Sequence, residues 1–309
     1  MVGLGKTRAL DTEARPQSAR LGRHRAGTRV ADCWLSPIAK PVQTIVINLP
    51  SDDARWVDVR RQFYRAGLRP IYHEATDGSE LSQLEIESLY SPELNRRQYH
   101  RPLSRGEIGC YASHLAVWKQ FLDSGQGAVA IFEDDIDIDE DLAYVLDAVR
   151  RSPIEADLVK LIGRAREKTL ERLPLMPARD LVRYRRVPSL TGAYVLTRRG
   201  AQKLVAQRQP FGRPVDVDIR YWWECGLEVV GVHPYPVRRG ASCRWTTIEN
   251  RDLPARAGSR WAKLRLLARY SFLNWSSLQA ARAAGQPARP GPREWAHRAA
   301  HWPGRRDVA

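Results

Sequence analysis

Residues 128–141 read AVAIFEDDIDIDED, an apolar run closed by three consecutive carboxylates, Glu133, Asp134 and Asp135. Like charges so close repel, so the cluster is neutralised either by water or by a cation. A divalent ion of the Mg2+ or Mn2+ type takes oxygen donors, bridges carboxylates that would otherwise repel, and can grip a diphosphate. Side chains alternate along a strand, so Glu133 and Asp135 are expected to share one side. A calcium loop does not fit. Asp135, Asp137 and Asp139 open an EF-hand pattern, but its glycine position holds Glu140 and its closing acid position holds Leu146. Asp137 to Asp141 instead suit the solvated, acidic N-terminus of a following helix.

The elements that would position the triplet can be read from periodicity. QTIVINL (43–49) has the β-branched, apolar character of a buried strand. Asp52 or Asp53 can cap a helix carrying Trp56, Val59 and Phe63, which Gly67 ends. A second strand around 70–75 and a turn at 76–78 complete a βαβ unit. Ser104 and Glu107 form a capping box, behind which Ile108, Tyr111, Leu115, Trp118 and Leu122 recur at helical steps up to Gly125. AVAIF (128–132), LVKLI (158–162), AYVLT (193–197) and LEVVGV (227–232) read as further strands, and 198–206 as a helix. Strands alternating with helices predict an α/β fold, a mostly parallel sheet with helices on both faces. Such sheets bind ligands beyond the carboxyl ends of their strands, where Glu133–Asp135 fall.

Composition sets limits on function. Of a net charge of +15 over 309 residues, residues 1–40 supply +5 (8 Lys and Arg against 3 Asp and Glu) and 251–309 supply +9 (12 against 3). The near-neutral middle argues against a nucleic-acid-binding body, and no nucleic-acid partner is expected for it; the basic ends suit an anionic surface, membrane phospholipid or RNA. The four cysteines, Cys33, Cys110, Cys225 and Cys243, show no metal-ligand spacing and are read as reduced thiols, Cys110 in the core. No apolar run reaches 18 residues, and the N-terminus lacks the apolar core of a secretory signal. Residues 1–42 are expected to be a disordered basic extension and 43–250 the folded domain. Residues 251–309 are expected to hold an amphipathic helix, with Trp261, Leu264, Ala268, Phe272 and Trp275 on one face, followed by a Pro-, Gly- and Arg-rich tail.

VINLPSDDARW (46–56), EATDG (74–78), LSRGEIGCYASHLAVWKQFLDSG (103–125), IFEDDIDID (131–139), VKLIG (159–163) and TGAYVLTRRGAQKLV (191–205) together resemble glycosyltransferase family 25, in the family's own order. That family contains bacterial lipooligosaccharide glycosyltransferases and collagen-modifying galactosyltransferases. The resemblance implies a GT-A-type nucleotide-sugar transferase fold. It also implies inverting transfer of a hexose, galactose or glucose, from a UDP-sugar to an LPS core or other glycan or lipid-linked acceptor, in the cytoplasm or at the inner membrane face. Glu133–Asp135 stand at the family's metal-binding D-x-D position, which makes Asp135, helped by Glu133, the ligand for Mn2+ or Mg2+, and Asp134 a donor contact. Asp216 of RPVDVDIRYWWE (213–224) matches the family's P-x-D element. Asp218 would face the same way in an extended segment, and one of the two is the expected base. Further donor contacts implied are Asn48, Arg55, Asp77, Gly78, Lys160 and Gly192. His233 is an additional metal-ligand candidate. Trp222, Trp223 and Trp245 are candidates for stacking on sugar rings, and His114 is expected to be a packed core residue rather than a catalyst. A nucleotidyltransferase, or a non-enzymatic protein that uses its basic tails on RNA or membrane, are the rival readings.

Overall fold

A computed structural model describes residues 42–152, 155–164, 166–240 and 260–283. Cys33, Cys243, Trp245 and the two basic ends outside 260–283 lie beyond the described residues. β1 (Gln43–Asn48), α1 (Asp53–Arg65) and β2 (Ile71–Glu74) form the opening parallel unit, with Gly67 turning the chain at φ +73°. Asp52 takes the N-cap position of α1 without a side-chain cap bond and instead pairs with Arg55 at 2.9 Å. α2 (Gln83–Leu89) and α3 (Pro92–Gln98) follow, and then α4 (Arg105–Asp123), which starts at the Ser104/Glu107 capping box. Next come β3 (Ala128–Glu133), β4 (Ile136–Ile138), α5 (Leu142–Arg151) and β5 (Leu158–Lys160). A hairpin of β6 (Thr169–Met176) and β7 (Arg179–Tyr184) leads to β8 (Ala193–Thr197) and α6 (Arg198–Gln207). The short α7 (Val215–Asp218), β9 (Val229–His233), β10 (Val237–Arg239) and α8 (Arg260–Ala283) complete the described chain.

The main sheet has the order β2-β1-β3-β8-β5-β9-β7-β6. From the pairings, six of its strands point one way, with β8 and β7 opposed. The α/β architecture with helices on both faces is as expected, and it is consistent with a GT-A-like fold. Alternation sorts the core into two layers. Val46, Ala130, Phe132 and Val195 face α1 and α5, against Val59, Phe63, Val145 and Leu146. Ile45, Ile47, Val129, Ile131, Leu158 and Tyr194 face α4 and α6, against Ile108, Leu115, Trp118 and Leu204.

The stretch after the acidic triplet departs from expectation. Residues 136–138 form β4, an antiparallel ribbon with β10, and Asp139 and Asp141 are not a solvated cap. Both bind Arg179, at 2.8 and 2.7 Å, and Asp141 makes no side-chain cap bond to α5. A guanidinium arriving from the β6–β7 hairpin outcompetes water for these carboxylates because its fork matches their geometry.

Candidate active site

Glu133 ends β3 on the α4 side of the sheet, and Asp134, one residue on, turns to the α1 side. Glu133 Oε1 accepts a hydrogen bond from Thr191 Oγ1 at 2.8 Å and lies 3.3 Å from His114 Nε2. The other His114 nitrogen is 2.8 Å from the Tyr194 hydroxyl, which accepts from Trp118 Nε1 at 2.8 Å. One assignment satisfies every group: Trp118 donates to Tyr194, Tyr194 to His114 Nδ1, and His114 Nε2–H to Glu133. Burial would raise the Glu133 pKa, but the His114 and Thr191 hydrogen bonds and the Lys160 charge bring it below the usual carboxylate range. His114 is therefore a buried positioning residue, as its packed helix position suggested.

Asp134 lies 3.7 Å from Arg55 of α1. Burial pushes its pKa up to about 7; Arg55 opposes this, while Asp135 and Glu133 reinforce it. Ile47 pairs with Glu133 across the sheet, so Asn48 leaves β1 level with Asp134. The Asn48 amide nitrogen donates to the Leu49 carbonyl at 2.7 Å, while its Oδ1 is buried without a hydrogen-bond partner.

Lys160, at the end of β5, is paired with Tyr194 and so faces the same side as Glu133. It is fully buried and donates to the carbonyl of Leu190, a residue with a left-handed backbone at φ +79°. Non-glycine residues rarely adopt that region, and such strain gathers at functional sites. Burial lowers the Lys160 pKa to about 8 against the charges of Asp216 and Glu133, and burial raises that of Asp216 against Lys160.

The expected equivalence of Asp216 and Asp218 fails. Residues 215–218 form one helical turn after Pro214, not an extended segment. At about 100° per residue, the two carboxylates point to nearly opposite sides. Asp218 is buried, accepts from Tyr111 Oη at 2.5 Å, and pairs with Arg213 at 2.8 Å and Arg208 at 3.4 Å. Asp216 lies within electrostatic reach of Lys160 and Glu133.

The remaining expected residues are engaged within the protein. Asp77 accepts from Ser79 N and Oγ at 2.8 and 2.6 Å, closing its own turn. Gly78 lets that turn cross α4, where any side chain would strike the Arg105 carbonyl. Gly192 accepts the Glu133 N–H at 2.9 Å, and a side chain there would meet Ile136 and Ile162. His233 lies on β9, three strands from β3, with Arg172 at 3.3 Å from its Nδ1. Trp222 donates to Asn274 of α8 at 3.1 Å, and Trp223 packs beside Tyr221 and Tyr270, so both serve packing.

Cys110 packs, partly buried, against the α4-side core, as its helical pattern suggested. Burial and the charges of Glu133, Asp216 and Asp135 all push its thiol up. Cys110, His114 and Glu133 bring ligand atoms within 4.8 Å of one another. A metal there would displace a ring nitrogen already bonded to Glu133 or Tyr194. Glu133, Asp134 and Asp135 offer only hard oxygen donors, and a cation among them would offset both the burial and the neighbouring charges that raise the Asp134 pKa. That set fits Mg2+ or Mn2+ better.

Comparison with known proteins places residues 42–219 in a match to the model of glycosyltransferase family 25, described as an LPS biosynthesis protein. Procollagen galactosyltransferase 2 of Homo sapiens is 31% identical over 185 residues, which is 57% of this chain and 29% of the human protein. A glycosyltransferase 25 family member of Drosophila pseudoobscura pseudoobscura is 32% identical over 181 residues, 56% of this chain and 28% of the fly protein. The probable inactive glycosyltransferase 25 family member 3 of Bos taurus is 32% identical over 126 residues, 38% of this chain and 20% of the bovine protein. The match thus spans less than a third of each of these relatives.

Proposed function

The chain belongs to glycosyltransferase family 25, and from that premise we propose that it is an inverting hexosyltransferase. It moves galactose or glucose from a UDP-sugar to a hydroxyl of an LPS core or related surface glycan, with Mn2+ or Mg2+ bound. The family description names LPS biosynthesis, and the human relative is named for galactosyl transfer. One relative is named as inactive, so the site itself must carry the argument. The observation that carries it is the convergence, at the carboxyl edge of the sheet, of the Glu133–Asp135 triplet with Asp216 and Lys160. Residues 43–250 would form the catalytic domain, acting at the cytoplasmic face of the membrane. Among the described residues no helix is long and apolar enough to cross a membrane.

Glu133, Asp134 and Asp135 would hold the divalent ion, which supplies positive charge to the departing diphosphate. Asn48 Oδ1, the orphaned acceptor, would take the N–H of the uracil ring, and Arg55 would flank the phosphates. Asp216 takes the proton of the acceptor hydroxyl, whose oxygen attacks the anomeric carbon from the face opposite UDP. The new C–O bond forms as the bond to the diphosphate oxygen breaks, and UDP leaves with the electron pair. Lys160 draws Asp216 back towards the ionised form that burial opposes. Asp218 positions Asp216 by anchoring its turn to Arg213, Arg208 and Tyr111. The test is to supply UDP-galactose or UDP-glucose with Mn2+ and LPS core oligosaccharide, and to read the product by NMR. One donor should be consumed, a β-linked hexose formed, and turnover lost in chelator. An α-linked product, or UDP release indifferent to chelation, would refute the mechanism.

A further inference from the structure

α8 is apolar on two opposite faces, and the domain occupies only one of them. Tyr270, Asn274 and Leu278, spaced by four, are buried against the domain. Asn274 accepts from Trp222 Nε1 at 3.1 Å and donates to the Arg185 carbonyl at 2.9 Å. The Tyr270 ring lies 5.2 Å from that of Tyr221 and beneath the Arg220 guanidinium at 4.5 Å. These contacts fix the rotation of the helix about its axis.

At about 100° per residue, Trp261, Leu264, Ala268, Phe272 and Trp275 lie on the side away from Tyr270. Trp261 is 79% exposed, Leu264 55%, Phe272 64% and Trp275 55%. Surface residues of this size are normally scattered, and a continuous stripe running about 21 Å along a helix marks a contact surface. Arg265 and Arg269 run along one edge of the stripe, Arg282 lies at its far end, and all three are exposed. Residues 260–283 contain no acidic side chain. We propose that this outer face of α8 docks the protein on an anionic lipid bilayer.

Charge complementarity selects the occupant. The positive flank excludes a basic partner. In a second copy packed stripe to stripe, like-charged arginine edges would converge. Nucleic acid would be met by the charges themselves, whereas here the apolar residues lead and the charges flank them. That is the arrangement of a helix lying in the headgroup plane, with Trp at the interface and Arg reaching the phosphates. The inner face of α8 rests on residues 221–223, just beyond α7, so docking would bring the side of the domain bearing Asp216 near the membrane. The inference stands independently of the sugar-transfer reading.

The test is flotation of the full-length chain with vesicles of about 30% anionic phosphatidylglycerol, against purely zwitterionic phosphatidylcholine vesicles. The wild type should float with the anionic vesicles at least about tenfold better, with blue-shifted tryptophan emission. The W261A/F272A/W275A variant should lose flotation, and R265E/R282E should lose the anionic preference. The thermal melts of both variants should match wild type, because the substituted side chains are exposed. The proposal is overturned if the wild type does not float. It is equally overturned if both variants float as well as wild type, or if the wild type runs at twice its mass and only the apolar variant runs as a monomer without any loss of lipid binding. Tighter binding of an RNA oligonucleotide than of vesicles would also overturn it.

Discussion

Asp218 is held in the interior by Arg213, Arg208 and Tyr111, while Asp216, half a helical turn away, lies within electrostatic reach of Lys160. The two carboxylates should therefore fail differently when neutralised. Asp216→Asn should lower transfer by about 10^2–10^4-fold with donor affinity kept, as expected for loss of a general base. Asp218→Asn should cost about 3 kcal/mol by leaving buried arginines underpaired, visible as a lower Tm. Asp216 works ionised, so activity falls as pH drops through its pKa. Because the Lys160 charge lowers that pKa, Lys160→Met should move the acid limb of the pH–rate profile to higher pH. The sequence located this pair but could not choose between its members, since the same two-residue spacing means one side in a strand and opposite sides in a helix. It did separate Glu133 from Asp134, because alternation in β3 follows directly from the apolar run before them.

At the scale of elements, α1, α4, β1, β3 and β8 are legible because periodicity and caps agree, and the Ser104/Glu107 box forms as expected. The capping box at Ser82/Glu85 and the Ser91–Pro92 start of α3 carry comparable signals, though the helices they open are only 7 residues each. The β6–β7 hairpin was illegible because Pro174 interrupts an edge strand and Ala178 turns at positive φ without a glycine. Asp139 and Asp141 read as helix-cap residues because Arg179, their partner, is 38 residues away or more. The turn at 76–78 tests how tightly α4 is docked. Gly78→Ala would drive a methyl into the Arg105 carbonyl, so it should destabilise by about 1–3 kcal/mol, measurable by denaturant titration.

Across the whole molecule, charge and chemistry are segregated: the folded middle carries the acidic triplet and its partners, and the positive excess lies at the ends. The sheet brings residues from β1, β3, β5 and α7, distant in sequence, to one edge. That convergence was readable only in part, since strand order depends on long-range pairing. The central claim is that the triplet holds a cation that binds the diphosphate of a nucleotide sugar. Its most direct measurement is calorimetric titration of UDP into the wild type and Asp135→Ala, with and without Mn2+. Binding should require the metal and weaken by about 100-fold or more in the variant, a change of about 2.7 kcal/mol. Equal, metal-independent affinity in both proteins would contradict the account.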